Sequence, residues 1–378
     1  MPVDMALNHG THCAPAALRV LRRHADSTCL RFYGPADDGA LRAAIAAHVG
    51  VPADHVLVAN GSGPLLKSVI PYVIERAIRA SALRMTRHLL FKRGYPMIVT
   101  SPTYSKVPAG AHRIGLTLES IELDPERGFT LDVALLRKRL QKRDGLSYLC
   151  NPNNPTGNLL IDRAALEALL GEFPGSFFFV DEAYVDYVEP SRQPKLADLT
   201  ERHENLLILR SFSFAYGLAG AHVGYAITSP ELVAAMRARA TPHCVSRLAA
   251  ELASASLEDP GHLETVRTEI ATERARLTDG LRKLPGIEVF ESETNFIYGR
   301  LQNGQTAADL AQAMRARGLI IKIFEPVGRT KFDEYFRFTL GLPEENTFLL
   351  AQLDEHLGPR LSRSKSRAPA PAEQFALV

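Results

Sequence analysis

Asp181 stands where a carboxylate could take part in chemistry. It follows four consecutive apolar residues, 177–180, and precedes Glu182, Ala183 and Tyr184. A carboxylate at the end of a buried strand is costly to desolvate unless a cation or a hydrogen-bond donor meets it. The pattern therefore predicts that Asp181 has a specific partner.

Two turns that contain glycine also follow short apolar runs. Residues 60–63, Asn-Gly-Ser-Gly, come after the run 55–59 and before a helical pattern. Free backbone N–H groups and the helix dipole favour an anion at such a helix start, so Gly61 and Ser62 are candidate phosphate ligands. Residues 151–157, Asn-Pro-Asn-Asn-Pro-Thr-Gly, follow another apolar run, and their prolines and glycine predict a rigid turn.

The elements that would position these residues alternate between strands and helices. This alternation predicts a mostly parallel sheet with ligand groups at the carboxyl ends of the strands. The pattern changes near residue 259, where a smaller α/β domain is predicted to begin. The predicted strands are 55–59, 97–100, 146–150, 176–180, 205–209, 287–290, 295–301, 319–324 and a last strand that starts at 335. The predicted helices are 41–49, 163–173, 259–284, 306–317 and a last helix that ends at 356.

The bulk composition is that of an ordinary globular protein of one large and one smaller domain. The chain has 378 residues, a formal charge of +2 and a pI near 8.3, so we expect neither nucleic acid nor a membrane as partner. Because no signal-peptide pattern or long apolar run is present, we expect a cytoplasmic location. The four cysteines show no CxxC spacing and no histidine at metal spacing, so no metal site is expected.

Residues 211–225, SFSFAYGLAGAHVGY, resemble the signature of the class I/II aminotransferases, and the histidinol-phosphate aminotransferase branch above all. The turns at 60–63 and 151–157 fall in register with that family. The resemblance implies the fold-type-I α/β fold, with a mostly parallel sheet in the large domain. Two positions differ: Phe214 stands where the family has the lysine that bonds to pyridoxal phosphate, and His222 replaces an arginine that binds its phosphate.

The resemblance also implies a role for each remaining residue of the site. Asp181 would pair with the pyridinium nitrogen, and Asn154 and Tyr184 would bind the ring hydroxyl. The other implied cofactor ligands are Gly61, Ser62, Tyr104 stacked on the ring, Ser211, Ser213 and Tyr33 from a partner subunit. The implied substrate ligands are Arg337, which would fork onto an α-carboxylate, Asn295 and Asn8.

Family members build each active site from both subunits, so we expect a homodimer. We expect an N-terminal arm at 1–32 packing with the small domain, a large domain at 33–258, a small domain at 259–358 and a flexible tail at 359–378. The arm lacks the Glu-Asn-Pro of the family, so histidinol phosphate is not the expected substrate; a small amino acid or keto acid is. Residues 76–93 carry a basic face, interpreted either as solvated or as meeting an acidic partner.

Phenylalanine has neither a nitrogen nor a titratable group, so Phe214 can neither hold the cofactor covalently nor move a proton. Removing a positioned general base typically costs ~10²–10⁴ in rate, and losing the covalent link adds to that. Lys106 and Lys322 are the candidates for a relocated lysine, but neither is predicted on the sheet edge where it is needed.

Three hypotheses follow for the function. The first is an enzyme that holds pyridoxal or pyridoxamine phosphate without a covalent bond, with His222 or Tyr184 moving protons. The second is a cofactor-free enzyme in which Arg337 binds a carboxylate and His222 and Asp181 act as acid and base in a cyclisation, condensation or dehydration. The third is an inactive subunit that pairs with an active homologue. An engineered Phe214 is disfavoured, because His222 and the arm differ as well.

Overall fold

The computed structural model describes residues 2–25, 31, 38–91, 95–113, 116–240, 244–324 and 332–358. The helices are α1 (15–24), α2 (39–49), α3 (62–79), α4 (82–91), α5 (106–113), α6 (133–142), α7 (163–172), α8 (230–237), α9 (247–257), α10 (260–282), α11 (307–316) and α12 (343–357). The strands are β1 (3–5), β2 (56–59), β3 (97–101), β4 (118–122), β5 (146–150), β6 (177–181), β7 (206–211), β8 (224–228), β9 (287–289), β10 (296–301), β11 (319–323) and β12 (335–339).

A seven-stranded sheet forms the larger layer, in the order β2-β8-β7-β6-β5-β3-β4. Strands β7, β6, β5, β3 and β4 run parallel, whereas β8 is antiparallel to both β2 and β7. The mostly parallel sheet predicted from the alternation of elements is therefore confirmed. Its central strands are buried on both faces, which explains why they read as continuous apolar runs.

The second sheet has five strands in the order β1-β11-β12-β10-β9. Strand β1, from the N-terminal arm, pairs in parallel with β11, so the arm joins the sheet built by the C-terminal part of the chain. Helix α1, in contrast to β1, packs against helix α9. The predicted boundaries of the arm and the two domains stay predictions.

The predicted elements agree with the observed ones to within one or two residues. His55 differs, because it lies in a short 3-10 turn before β2 and not in the strand. Helix α2 ends as predicted at Gly50, whose φ of 76° is a left-handed conformation that glycine adopts without a steric penalty. Within the described part of the chain, no helix is long and apolar enough to cross a membrane.

The carboxyl ends of the central strands bring the candidate residues to one edge of the large sheet. Asp181 is the last residue of β6 and Ser211 the last of β7, and the turn 151–157 begins directly after β5. Helix α3 starts at Ser62, three residues after β2. The alternation of elements thus places the residues for the predicted chemistry along one edge.

Candidate active site

Asp181 has the hydrogen-bond donors that its buried position requires. Its Oδ2 accepts from the Tyr148 hydroxyl at 2.7 Å, and its Oδ1 accepts from the backbone N–H of Ala183 at 3.2 Å. Burial raises the pKa of Asp181 to about 6, while both hydrogen bonds act in the opposite direction. Sequence analysis missed Tyr148; a tyrosine two residues before the end of the adjacent strand β5 is the signal that points to it.

Tyr184, Asn154 and Arg337 form one buried network beside Asp181. The Tyr184 hydroxyl accepts from Asn154 Nδ2 at 3.2 Å, and Asn154 Oδ1 accepts from Arg337 Nη1 at 2.5 Å. Arg337 Nη2 also donates to the carbonyl of Ala6 at 2.6 Å. Burial lowers the pKa of Arg337 and raises that of Tyr184. The predicted ligand of a substrate carboxylate and a predicted ligand of the ring hydroxyl are thus joined directly.

The N-terminal arm closes this network from the side of the smaller sheet. Asn8 is buried with a φ of 58°, and its Nδ2 donates to the Tyr184 hydroxyl at 2.8 Å. Thr339 accepts from the Asn8 backbone N–H and donates to Asn8 Oδ1, both at 3.0 Å. Asn295 Nδ2 donates to the carbonyls of Asn8 and His9 at 3.1 and 3.2 Å. Two of the three predicted substrate ligands, Asn8 and Asn295, therefore hold the arm in place.

Two buried polar atoms in this region have no hydrogen-bond partner in the described structure. They are Nε of Arg337 and Oδ1 of Asn295. Arg337 is 5% exposed and Asn295 is fully buried, so neither atom reaches bulk water. A buried polar atom left unpaired costs free energy, and a bound ligand would relieve that cost.

Phe214 stacks on the ring of Tyr184. The ring centroids are 4.4 Å apart with an interplanar angle of 23°. Gly10 of the arm lies so close that a Cβ on it would stand 2.1 Å from the Phe214 carbonyl oxygen. Lys106 is exposed at the start of α5, and Lys322 is exposed with its ammonium 5.8 Å from the centre of the Phe324 ring.

The turn before α3 has the backbone geometry of an anion-binding site. Gly61 has a φ of 85°, and Ser62 begins the helix. The imidazole of His222, an exposed residue with a φ of 57°, lies against Gly61, where a Cβ would be 2.6 Å from the imidazole Cε1. Nearby in sequence, the Ser211 side chain accepts from the Ser213 backbone N–H at 3.1 Å. The imidazole of His222 thus lies beside the start of helix α3.

Tyr104 follows β3 and is partly buried near the charged network. Burial and then the charge of Asp181 raise the pKa of Tyr104 to about 12, while Arg337 acts in the opposite direction. The charges of Asp181 and Arg337 both act on the Tyr104 hydroxyl, which agrees with a position of Tyr104 beside these two residues. Tyr33, the residue predicted to reach a partner's cofactor, lies outside the described residues.

A buried ion pair between Arg210 on β7 and Glu182, the residue directly after β6, was missed by the sequence analysis. Arg210 Nε and Nη2 each lie 2.9 Å from Glu182 Oε2, and the carboxylate side chain is fully buried. Glu182 and Arg210 directly adjoin Asp181 and Ser211 in the sequence. The opposite charges at the ends of two apolar runs are the signal that points to this pair, which ties together the two strands that carry site residues.

The assembled groups fit a pyridine ring that carries a hydroxyl group. Asp181 offers a buried carboxylate to a ring nitrogen, Tyr184 and Asn154 offer polar groups to a ring oxygen, and Ser62 offers a backbone N–H group to a phosphate. The N–H of Gly61, predicted as a phosphate ligand, donates instead to the Ala59 carbonyl at 2.8 Å. The side chain at 214 offers no amine for a covalent bond.

The fold is that of the fold-type-I pyridoxal-phosphate enzymes. The family model for aminotransferase class I and II matches residues 4–352, and the chain belongs to that family. The histidinol-phosphate aminotransferase of Anaeromyxobacter sp. (strain Fw109-5) is 34% identical over 349 residues, which cover 91% of this chain and 88% of the relative.

Solved structures show the same fold. The histidinol-phosphate aminotransferase of Clostridium acetobutylicum superposes with a TM-score of 0.79 at 21% identity, covering 94% of this chain and 98% of the other. The histidinol-phosphate aminotransferase of Sinorhizobium meliloti, solved with pyridoxal 5'-phosphate, gives a TM-score of 0.78 at 23% identity, with 94% and 91% covered.

Proposed function

We propose that the cleft binds pyridoxal or pyridoxamine phosphate without a covalent link and acts on a small amino acid or keto acid by lysine-independent chemistry. The observation that carries this proposal is the buried network of Asn154, Tyr184 and Arg337, next to the buried Asp181 and to a phenylalanine at 214. The ring-binding groups are kept in contact, while the side chain stacked on Tyr184 is one that cannot form the bond.

Each residue has a separate task in this proposal. A bound cofactor would supply a protonated pyridine ring that draws electrons from the reacting carbon. Asp181 stabilises the positive charge on the ring nitrogen, and the raised pKa of this carboxyl agrees with a need for a cationic partner. Arg337 binds the carboxylate of the substrate by exchanging the Ala6 carbonyl for it. His222 or Tyr184 moves protons, since position 214 cannot.

A cofactor-free enzyme is the second candidate, and the position of His222 favours it. The imidazole lies against Gly61, beside the helix start at which a cofactor phosphate would bind. In that case Arg337 would bind a substrate carboxylate, and His222 and Asp181 would act as acid and base in a cyclisation, condensation or dehydration. The two candidates differ in whether the cleft binds a pyridine ring.

The oligomeric state, the location and the identity of the substrate also belong to this proposal. We propose a homodimer in which Tyr33 of each subunit reaches the other's site, and a cytoplasmic location. The arm lacks the Glu-Asn-Pro motif, and its Asn8 and His9 are instead tied to Asn295. We therefore propose a substrate other than histidinol phosphate.

The test is to purify the protein under native conditions, denature it and identify any released small molecule by mass spectrometry. Purified protein is then titrated with pyridoxal and pyridoxamine phosphate. We expect the protein to bind cofactor, and binding of the amine form, pyridoxamine phosphate, would support the proposal most strongly. Asp181→Ala should weaken the affinity at least about tenfold, because a charged hydrogen-bond partner disappears. Asp354→Ala on α12, an exposed carboxylate, is the matched control. No released cofactor and no binding would refute the proposal and favour the cofactor-free candidate.

A further inference from the structure

The Tyr184 hydroxyl is met by two side-chain amides, and the direction of one amide is fixed by its other partner. Asn154 contacts Tyr184 on one side and Arg337 on the other. A guanidinium group only donates hydrogen bonds, so the atom of Asn154 that faces Arg337 has to be Oδ1. The amide group Nδ2 therefore faces Tyr184 and donates to its oxygen.

The direction of the second amide follows from Thr339. The Thr339 hydroxyl oxygen accepts from the backbone N–H of Asn8 at 3.0 Å, which leaves its proton for Asn8 Oδ1 at 3.0 Å. In the reversed amide, the buried Thr339 proton would lose its recorded acceptor, at the cost of an unsatisfied donor. Asn8 Nδ2 therefore faces Tyr184 and donates to it at 2.8 Å.

Two donors thus fill the acceptor positions of the Tyr184 oxygen, and the hydroxyl proton is left for another group. No acceptor for this proton is recorded in the described part of the chain. We propose that Asn8 is a positioning residue that fixes Tyr184 as a hydrogen-bond donor toward the ligand, so that the cleft selects an acceptor oxygen at this point.

This inference rests on the proposed function in one respect, namely that the acceptor is the ring oxygen of a hydroxypyridine. It extends the proposed function by giving the arm a task in ligand selection. Burial raises the pKa of Tyr184, which keeps the proton on its oxygen. Asn8 would then act through Tyr184 and not as a direct ligand of the substrate.

Substitutions at Asn8 can separate hydrogen-bond direction from simple packing. The φ of 58° at Asn8 disfavours alanine, so Asn8→Gly is the variant that removes the side chain without backbone strain. Asn8→Asp has nearly the same shape but presents only acceptors. Its carboxylate would accept a hydrogen bond from the Tyr184 hydroxyl and so turn the lone pairs of Tyr184 toward the ligand.

The experiment compares dissociation constants for pyridoxamine 5'-phosphate and for 3-deoxypyridoxamine 5'-phosphate, which lacks the ring hydroxyl. We expect Asn8→Gly to weaken binding of the first about 3- to 10-fold and Asn8→Asp to weaken it about 10- to 100-fold. Binding of the deoxy compound should change less than about threefold in either variant. In a Tyr184→Phe background, neither change at Asn8 should have a further effect. A purely structural role predicts the opposite order, with the isosteric Asp milder than Gly, and that order would overturn the inference.

A ligand-free measurement keeps the inference separate from the proposed function. Protein labelled with ¹³C at tyrosine Cζ gives a resonance for Tyr184 that is assigned by its loss in Tyr184→Phe. We expect Asn8→Asp to move this resonance, because the hydroxyl changes its partner. A resonance that stays in place in both Asn8 variants would overturn the inference. If it moves while the native protein binds neither pyridine compound, the proposed function fails and the fixed direction of Tyr184 stands.

Discussion

Replacing Asp181 with asparagine should change how stability depends on pH. The folded protein holds the pKa of Asp181 at about 6, above its ordinary value of 3.8, because of burial. A carboxyl with a raised pKa contributes its full stabilisation below pH 3.8, and that contribution is lost as the pH rises through 6. The shift is about two pH units, each worth about 1.36 kcal/mol, so about 3 kcal/mol is lost between pH 4 and pH 7.5.

The assay is denaturant unfolding of ligand-free protein at several pH values between 4 and 7.5. The amide that Asp181→Asn introduces would resemble the protonated acid and cannot ionise. The difference in free energy of unfolding, variant minus native, should therefore rise by about 3 kcal/mol from pH 4 to pH 7.5. Tyr148→Phe is a control with the opposite effect, because it removes a hydrogen-bond donor that lowers the pKa of Asp181. The pKa of Asp181 should rise further in this variant, so the pH-dependent loss of stability should continue to higher pH than in the native protein. Parallel curves for Asp181→Asn and the native protein would refute the reasoning.

Three further changes test other parts of the site. Gly61→Ala should lower stability by about 1–2 kcal/mol and weaken binding of pyridoxamine phosphate relative to pyridoxamine in titrations, because its φ is 85° and a Cβ would meet an imidazole. Gly63→Ala, with open space around its Cβ, should change neither. Arg210→Met should lower the free energy of unfolding by about 3–5 kcal/mol, and adding Glu182→Met should restore part of it; equal losses in both variants would contradict a paired charge. Phe214→Leu should cost about 1 kcal/mol in denaturant unfolding through the lost ring stack and leave the affinity for pyridoxamine phosphate nearly unchanged.

The arrangement at the sheet edge was predictable because it follows from short-range patterns. Asp181 and the turn that contains Asn154 each follow a buried apolar run, and parallel strands deliver such residues to the same edge. The order of strand and turn along the chain was therefore enough to predict that they lie together. Resemblance to a known signature, and not periodicity, supplied the roles expected of Tyr184 and Arg337.

The contacts between the two sheets could not be predicted in the same way. Arg337 meets Asn154 across 183 residues of sequence, and no local pattern fixes that approach. The left-handed backbone conformation of Asn8 and His222 could not be predicted either, because neither residue type requires it. Spacing along a strand says which face a side chain occupies, but pairings between distant segments depend on how the whole chain packs.

The contact of Asn8 with Thr339 joins points that lie 331 residues apart in the sequence. During synthesis on a ribosome, Asn8 emerges 331 residues before Thr339 on β12. The arm therefore cannot make this contact until β12 has been synthesised, although segments made before β12 can begin to fold. A chain that stops before β12 would lack the Thr339 partner of Asn8, so a protease that attacks exposed segments would distinguish unfinished chains from finished ones.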